Sequence, residues 1–384
     1  MTQGQILNHQ GPTRLAVRKL TVTDFRCYER LRLETDARPV VLTGPNGAGK
    51  TNLLEALSFL TPGRGMRRAT LAEVGRKAAG EGAPWAVAAT LDGPLGPVEI
   101  GTGREAGSER RTVRIDGQPA KAQDLAQLVS ALWLTPAMDR LFIEGAGGRR
   151  RFLDRLAFGQ ETGHAAHATA YEHAMRERTR LLKAGRLDPA WASALEEAMA
   201  SHGTQLAAAR RRAVERLDAA CAQGLGPFPA ARLALAGEVE SWLADTPPAE
   251  VEERMKAALR AARARDEAAG AATFGPHRSD LLVRHADKDL PAGQCSTGEQ
   301  KAVLVSVVLA QARVRTGLTG LAPLMLLDEV VAHLDHTRRA ALFDELSGLS
   351  AQSWMTGTDE VLFAGFGERA QFFRVADATV ARVE

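Results

Sequence analysis

Eight consecutive residues constrain this chain more than any others: Gly44-Pro45-Asn46-Gly47-Ala48-Gly49-Lys50-Thr51. The apolar run Pro39-Val-Val-Leu-Thr43 precedes them, and Thr51-Asn-Leu-Leu-Glu-Ala-Leu-Ser-Phe-Leu60 follows until Pro62-Gly63. A short β-branched run that ends in glycines and restarts with helical periodicity predicts strand, loop and helix in that order. Glycines in such a turn let backbone N–H groups curl around phosphate oxygens at the positive end of the helix. Lys50 then reaches the β- and γ-phosphates, and Thr51 offers its hydroxyl to Mg2+. The pattern predicts a nucleotide-phosphate site on an α/β fold.

Two further stretches supply what the loop lacks. Leu324-Met-Leu-Leu-Asp328-Glu329 reads as a buried strand that delivers acids to its C-terminal end. Asp328 is the candidate for holding the metal, and Glu329 for orienting and deprotonating an attacking water. Cys295-Ser296-Thr297-Gly298-Glu299-Gln300 lies thirty residues upstream of Asp328, at the start of an apolar helix expected over Glu299 to about Arg315. A serine, a glycine and a helix N-terminus form a second anion site. One chain needs only one phosphate loop per nucleotide, so this second site is expected to cap the γ-phosphate held by another copy. The three elements in this order resemble an ABC-type ATPase head, whose signature reads Leu-Ser-Gly-Gly-Gln or similar. Val331-Ala-His-Leu-Asp335 matches the loop in which that class carries an aspartate, here Asp335, that crosses the dimer interface. Trp354-Met-Thr-Gly-Thr358 lies where transporters of the class carry a switch histidine. It has none, so Thr356 or Thr358 is left as the candidate for that place.

Composition excludes several alternatives. Hydrophobic residues make up 45% and charged residues 25% of 384, which is neither disordered nor collagen-like. The longest nearly uncharged apolar stretch, Ala302 to Ala310, is about half of what a membrane span requires, so no span is expected. The first residues, Met-Thr-Gln-Gly-Gln-Ile-Leu-Asn, lack a secretory leader's basic flank and apolar core, and a cytoplasmic protein is expected. Cys27, Cys221 and Cys295 are too scattered for a disulfide framework or a zinc site and read as free thiols. The net charge is only +3, so attraction to nucleic acid needs a local patch.

Along the chain, a polar tail runs to about residue 13, and an alternating strand follows at Leu15–Val22. Short strands and turns fill roughly 85 to 135, with a hairpin at Asp116-Gly117. From 149 to 270 the composition turns to Ala, Arg, Glu and Leu, which predicts helix throughout. Asp188-Pro189 starts a helix that meets no further Pro and runs to Gly224, about 50 Å if continuous. A second long helix is expected from Thr246-Pro247 to Gly270, and two such antiparallel helices predict a short coiled-coil-like arm. Domain segments follow: 14–148 as the N-terminal half of the head, 149–270 as the arm, and 271–384 as the C-terminal half.

The insertion of helices between Lys50 and Ser296 resembles ABC heads of the SMC and Rad50 type. Phe25-Arg-Cys-Tyr28 is similar to the Phe-Arg-Asn-Tyr that opens that group. The arm is too short for an SMC coiled coil, and three stretches resemble the RecF family: Leu134-Thr-Pro136, Arg149-Arg-Arg-Phe-Leu-Asp154 and Gly275-Pro-His-Arg-Ser-Asp-Leu281. That resemblance implies ATP and Mg2+ as cofactors, weak DNA-stimulated ATP hydrolysis and an ATP-dependent homodimer. Each nucleotide would be held by Lys50 and Thr51 of one chain and by Ser296, Thr297, Gly298 and Glu299 of the other. It further implies a clamp on double-stranded DNA near single-stranded gaps, acting with RecR, RecO and RecA in gap repair and replication recovery. Two alternatives stay open, an ABC transporter's ATP-binding subunit and an SMC-like DNA-bridging protein. Arg149, Arg150, Arg151 and Arg210, Arg211, Arg212 are the candidate DNA-phosphate contacts. His164, His167 and His173 read as a solvated helix face rather than a metal site.

Overall fold

The computed structural model describes residues 15–383 except 81, 95, 162 and 185–187, so the expected tail lies outside the described residues. The chain divides into two compact units. One is built from the chain up to Pro136 together with the chain from Arg315 onward, the other from Ala137–Val314. These boundaries differ from the three expected segments: the serine-headed stretch at Ser296 belongs with the inserted helices, not with the C-terminal strands.

In the first unit, a six-stranded sheet runs in the order Thr379–Arg382, Gln371–Ala376, Val40–Thr43, Ser353–Gly357, Leu324–Leu327, Ala131–Leu134. Its neighbours are parallel except the first pair. Every residue of the Val40–Thr43, Ser353–Gly357 and Leu324–Leu327 strands is buried, and Leu324–Leu327 accordingly reads as an unbroken apolar run. A second, antiparallel sheet carries Tyr28–Glu34, Ala16–Phe25, Trp85–Gly93, Gly96–Arg104, Arg111–Ile115 and Gln118–Ala120. The Asp116-Gly117 hairpin is present, with both residues at positive φ as a two-residue turn requires.

The two sheets share one core, in which Phe25 meets Phe59 and Trp85 edge to face. Gln352, fully buried, joins them. Its Oε1 accepts from Val17 N at 2.8 Å and Trp354 Nε1 at 3.0 Å, and its Nε2 donates to Val17 O at 3.1 Å and Asp36 O at 2.7 Å. Both lone pairs and both amide protons are therefore used, the condition under which a buried amide is tolerated.

In the second unit, the helix expected from Asp188 is present as Pro189–Ala222, with Asp188 capping Ala190 N and Trp191 N. The helical stretch is not the simple pair predicted. Its return is two helices, Pro248–Ala261 and Arg263–Ala269, and a strand, Ala231–Ala236, pairs with Asp280–His285. The alternation in Arg-Leu-Ala-Leu-Ala was masked by its alanines, which carry little pattern signal. Fourteen residues of Pro189–Ala222 are buried, and Tyr171, Met199, Val251, Met255, Leu259 and Phe274 form a core of their own. Buried Arg178 binds Glu196, Asp266 and Leu259 O inside it. The insertion is helical as predicted, with a core of its own and one added pair of strands.

The Thr297–Thr319 helix is longer than predicted and is apolar enough, by length and composition, to cross a membrane. Its stretch from Gln300 to Ala312 is buried inside the protein, so core packing accounts for that apolarity. The cysteines are free thiols, as expected.

Candidate functional site

The parallel sheet places three chain segments side by side at the C-terminal ends of its strands, where ligands of such sheets bind. Val40–Thr43 leads into the glycine loop, Leu324–Leu327 into Asp328-Glu329, and Ser353–Gly357 ends at Thr356 and Gly357. The loop needs its glycines for space as well as for φ. A Cβ on Gly44 would stand 2.0 Å from Val375 O. One on Gly49 would stand 2.6 Å from Tyr28 Oη and 2.8 Å from Cys27 Sγ. Gly49 is also the N-cap of the Lys50–Ser58 helix at φ 112°, with no side chain capping that end. The Phe25-Arg26-Cys27-Tyr28 stretch thus packs against the loop. Asn52 Nδ2 donates to Cys27 Sγ at 3.1 Å, and Arg26 grips fully buried Glu55 with two hydrogen bonds.

Lys50 Nζ donates to Gly44 O at 2.7 Å and Pro45 O at 2.8 Å, which folds the side chain over the loop. Burial pulls its ammonium below the usual lysine value, and the charges of Glu329 and Asp328 oppose that shift. Thr51 Oγ1 donates to Asp328 Oδ1 at 2.9 Å, so the loop and the acidic strand end, 277 residues apart in sequence, meet directly. The Asp328 Oδ2 atom accepts no hydrogen bond among the described residues. A free carboxylate oxygen beside a threonine hydroxyl is a hard oxygen donor set. It suits a magnesium ion that keeps several waters and takes one carboxylate plus substrate phosphates. Thr51 and Asp328 fit that ion. Among the described residues no group of three His, Cys, Asp or Glu forms a metal site.

Thr356 is the residue whose role the sequence left open. It is fully buried, its Oγ1 donates to Asp328 Oδ1 at 2.8 Å, and the same oxygen accepts from Glu329 N at 3.0 Å. Thr358 is exposed. Glu329 has φ 54°, a conformation costly for a residue with a side chain.

The serine-headed stretch lies in the second unit. Ser296, Thr297 and Gly298 are exposed at the start of the Thr297–Thr319 helix, while Gln300 is buried and ties the turn through Cys295 O. Glu299 behaves otherwise than a ligand group. It accepts from Lys288 Nζ at 2.5 Å and Ser296 N at 3.0 Å, and these partners hold its carboxyl down at about 2. It caps its own helix. Asp335 likewise caps the His336–Gly348 helix through Arg338 N, with its side chain still 57% exposed.

The arginine candidates separate sharply. Arg210 is a correction: its side chain is 3% exposed, bonded to both Asp154 oxygens and to Pro276 O. A guanidinium buried on its own carboxylate is not available to a DNA phosphate. Arg149 pairs with both oxygens of Asp280, and Arg150 donates to Ser279 O. The two motifs that flank the insertion, Arg149–Asp154 and Gly275–Asp280, therefore lock onto each other. Arg211 pairs with Glu215 and Arg212 with Glu161. Arg151 and Arg278 are exposed and have no hydrogen bond or ion pair among the described residues. Of the histidines, His164 is buried against Asp154 and His167 faces His202, contrary to a solvated face; His173 is exposed.

A parallel sheet with its phosphate loop beside an Asp-Glu strand end, joined to an antiparallel sheet by a common core, is the build of an ABC-type ATPase head. The profile described as the RecF/RecN/SMC N terminal domain matches residues 16–379. The chain belongs to the RecF family. "DNA replication and repair protein RecF" of Caulobacter vibrioides is 52% identical to it over 381 residues, spanning 96% of this chain and 98% of that protein. The protein of the same description from Rhizobium meliloti is 50% identical over 375 residues, spanning 96% and 100%. Among solved structures, the recombination mediator protein RecF with ATP in the RecFOR pathway superposes with a TM-score of 0.83. Identity is 20%, and 98% and 100% of the two chains are covered. An SMC head bound to the C-winged helix domain of ScpA gives 0.57 at 15% identity over 96% and 97%. At those identities the likeness is one of fold. Membership in the family decides among the three readings that the sequence left open.

Proposed function

We propose that this chain binds and hydrolyses ATP, pairs with a second copy through the nucleotide, and in that paired state holds duplex DNA near single-stranded gaps in the cytoplasm. Curated relatives carry the description DNA replication and repair protein, and a solved relative of the same fold carries ATP. The observation that carries the reading is the convergence of Lys50, Thr51, Asp328 and Glu329 at the C-terminal ends of neighbouring strands, with Thr51 bonded directly to Asp328.

The loop N–H groups and Lys50 bind the triphosphate. Thr51 and Asp328 would hold magnesium, which when bound would neutralise charge on the phosphates. Glu329 takes a proton from a water as its oxygen bonds to the γ-phosphorus, and the bond from that phosphorus to the β–γ bridging oxygen breaks, leaving ADP and phosphate. Ser296, Thr297 and Gly298 of the second copy cap the γ-phosphate, a role supported by their exposure at a helix N-terminus. Hydrolysis removes what joins the copies and opens the clamp. Exposed Arg151 and Arg278, within the motifs that flank the insertion, are available for DNA phosphates; binding is sequence-independent and falls steeply with salt. RecR, with RecO and RecA further along, is the expected protein partner.

Sedimentation velocity of wild type, Glu329→Gln and Lys50→Ala, each with ATP, ADP or no nucleotide, tests the reading. Glu329→Gln accumulates as an ATP-bound dimer that retains duplex DNA, and Lys50→Ala stays monomeric. Equal dimerisation of Lys50→Ala with ATP overturns it.

A further inference from the structure

Thr356 occupies the strand end at which transporter ATPases present a histidine to the nucleotide, yet its surroundings give it a different task. Its side chain is fully buried, and its one hydroxyl works in both directions. An ionised carboxylate only accepts and an amide only donates, so the directions are fixed. The hydroxyl proton goes to Asp328 Oδ1 at 2.8 Å, and a lone pair receives Glu329 N–H at 3.0 Å. Asp328 Oδ1 also receives the Thr51 hydroxyl. Two threonines, one in the Lys50–Ser58 helix and one on the Ser353–Gly357 strand, therefore fix one oxygen of this carboxylate, and the other oxygen accepts no hydrogen bond among the described residues. On its second side Thr356 holds the peptide N–H of a residue whose φ is 54°. The left-handed backbone decides where the Glu329 side chain leaves the chain, and a hydrogen bond to that N–H opposes its relaxation.

We infer that Thr356 is a positioning residue for ATP hydrolysis: one buried hydroxyl sets the rotamer of the metal-binding Asp328 and the backbone of the proton-accepting Glu329 together. Its fully buried hydroxyl acts through Asp328 and Glu329, whereas Thr358 is exposed. The inference rests on the ATPase reading above. It adds that the two acids are aimed as a unit, by a residue on a third strand.

The test is steady-state ATP hydrolysis by wild type, Thr356→Val and Thr356→Ser, with circular dichroism to confirm folding. Valine keeps the shape and removes both hydrogen bonds; serine keeps the hydroxyl. A small misplacement of a catalytic group costs up to about 100-fold in rate, so Thr356→Val is expected to lose about 10- to 100-fold in kcat. Its KM for ATP should move less than about threefold, because the loop and Lys50 are untouched. Thr356→Ser should stay within about threefold of wild-type kcat, and Thr356→Val should accumulate as an ATP-bound dimer, like a variant slowed after binding. If Thr356→Val does not fold, Thr356→Cys, which keeps the volume with a far weaker donor and acceptor, takes its place under the same criteria. Unchanged kcat in the variant, or a serine variant as slow as the valine one, overturns the inference. If wild type itself neither binds nor hydrolyses ATP, it is the ATPase reading that fails instead.

Discussion

Replacing Gln352 with alanine breaks four hydrogen bonds, and the cost follows from which partners have a substitute. Val17 O keeps the Thr35 hydroxyl, and Asp36 O keeps the amide of Gln371 at 3.0 Å. Among the described residues Val17 N–H and the Trp354 indole N–H have no second acceptor, and the substitution leaves them buried and unpaired. Each orphaned donor costs about 1–3 kcal/mol, and the cavity left by the side chain adds to that, so the total is about 4 kcal/mol. The loss falls between the two sheets, because Gln352 lies 335 residues from Val17 and joins sheets that no backbone ladder connects. Urea unfolding followed by tryptophan fluorescence measures it directly, since Trp354 is completely buried beside the substituted residue. Gln352→Glu should do no better than alanine: it keeps an acceptor but loses both donated protons and buries a charge. A loss below about 1 kcal/mol at unchanged m-value would refute the claim that two orphaned donors dominate the energetics.

Further outcomes follow from the inserted subdomain. Burial pushes the Asp154 carboxyl up, but His164 and Arg210 outweigh it and hold the group at about 2. Because the folded value is depressed, Asp154 contributes about 2 kcal/mol above pH 4 that fades as pH falls through 2. The stability gap between wild type and Asp154→Asn should therefore narrow from pH 5 to pH 2.5 in urea midpoints; a constant gap contradicts the assignment. Arg210→Ala leaves Asp154 without its paired guanidinium and should destabilise by about 3 kcal/mol, read from thermal midpoints, rather than weaken DNA binding selectively. Replacing exposed Arg151 and Arg278 with alanine should leave the thermal midpoint unchanged and reduce the salt slope of duplex binding by about 2, measured by anisotropy across a salt series.

Most of the candidate site was legible in the sequence because its parts are local. A strand, a glycine loop and a helix over 39–60 declare themselves by periodicity and by residues that only such a turn demands. The Leu324–Leu327 strand with its two acids was visible for the same reason. What escaped was decided by distant neighbours. Nothing near Thr356 says that it will lie within reach of Asp328, and nothing near Arg210 says that Asp154 and Pro276 will enclose it. Arg210, Arg211 and Arg212 look alike in sequence; the turn of the helix sends the first inward to Asp154 and the other two to Glu215 and Glu161. The Ala231–Ala236 strand escaped because alanine suits both helix and half-buried strand, and its pairing partner lies beyond the helices that follow.

The proposed dimer requires that the serine-headed helix of one chain complete the phosphate site of another. Mixing two inactive variants, Lys50→Ala and Ser296→Arg, and measuring ATP hydrolysis tests it most directly. In a mixed dimer, the sound loop of the Ser296→Arg chain meets the sound serine of the Lys50→Ala chain, and activity returns to about a quarter of the wild-type rate on random pairing. If each chain completes its own site, no mixture regains any activity, and a dead mixture of two folded variants that still pair with each other contradicts the claim.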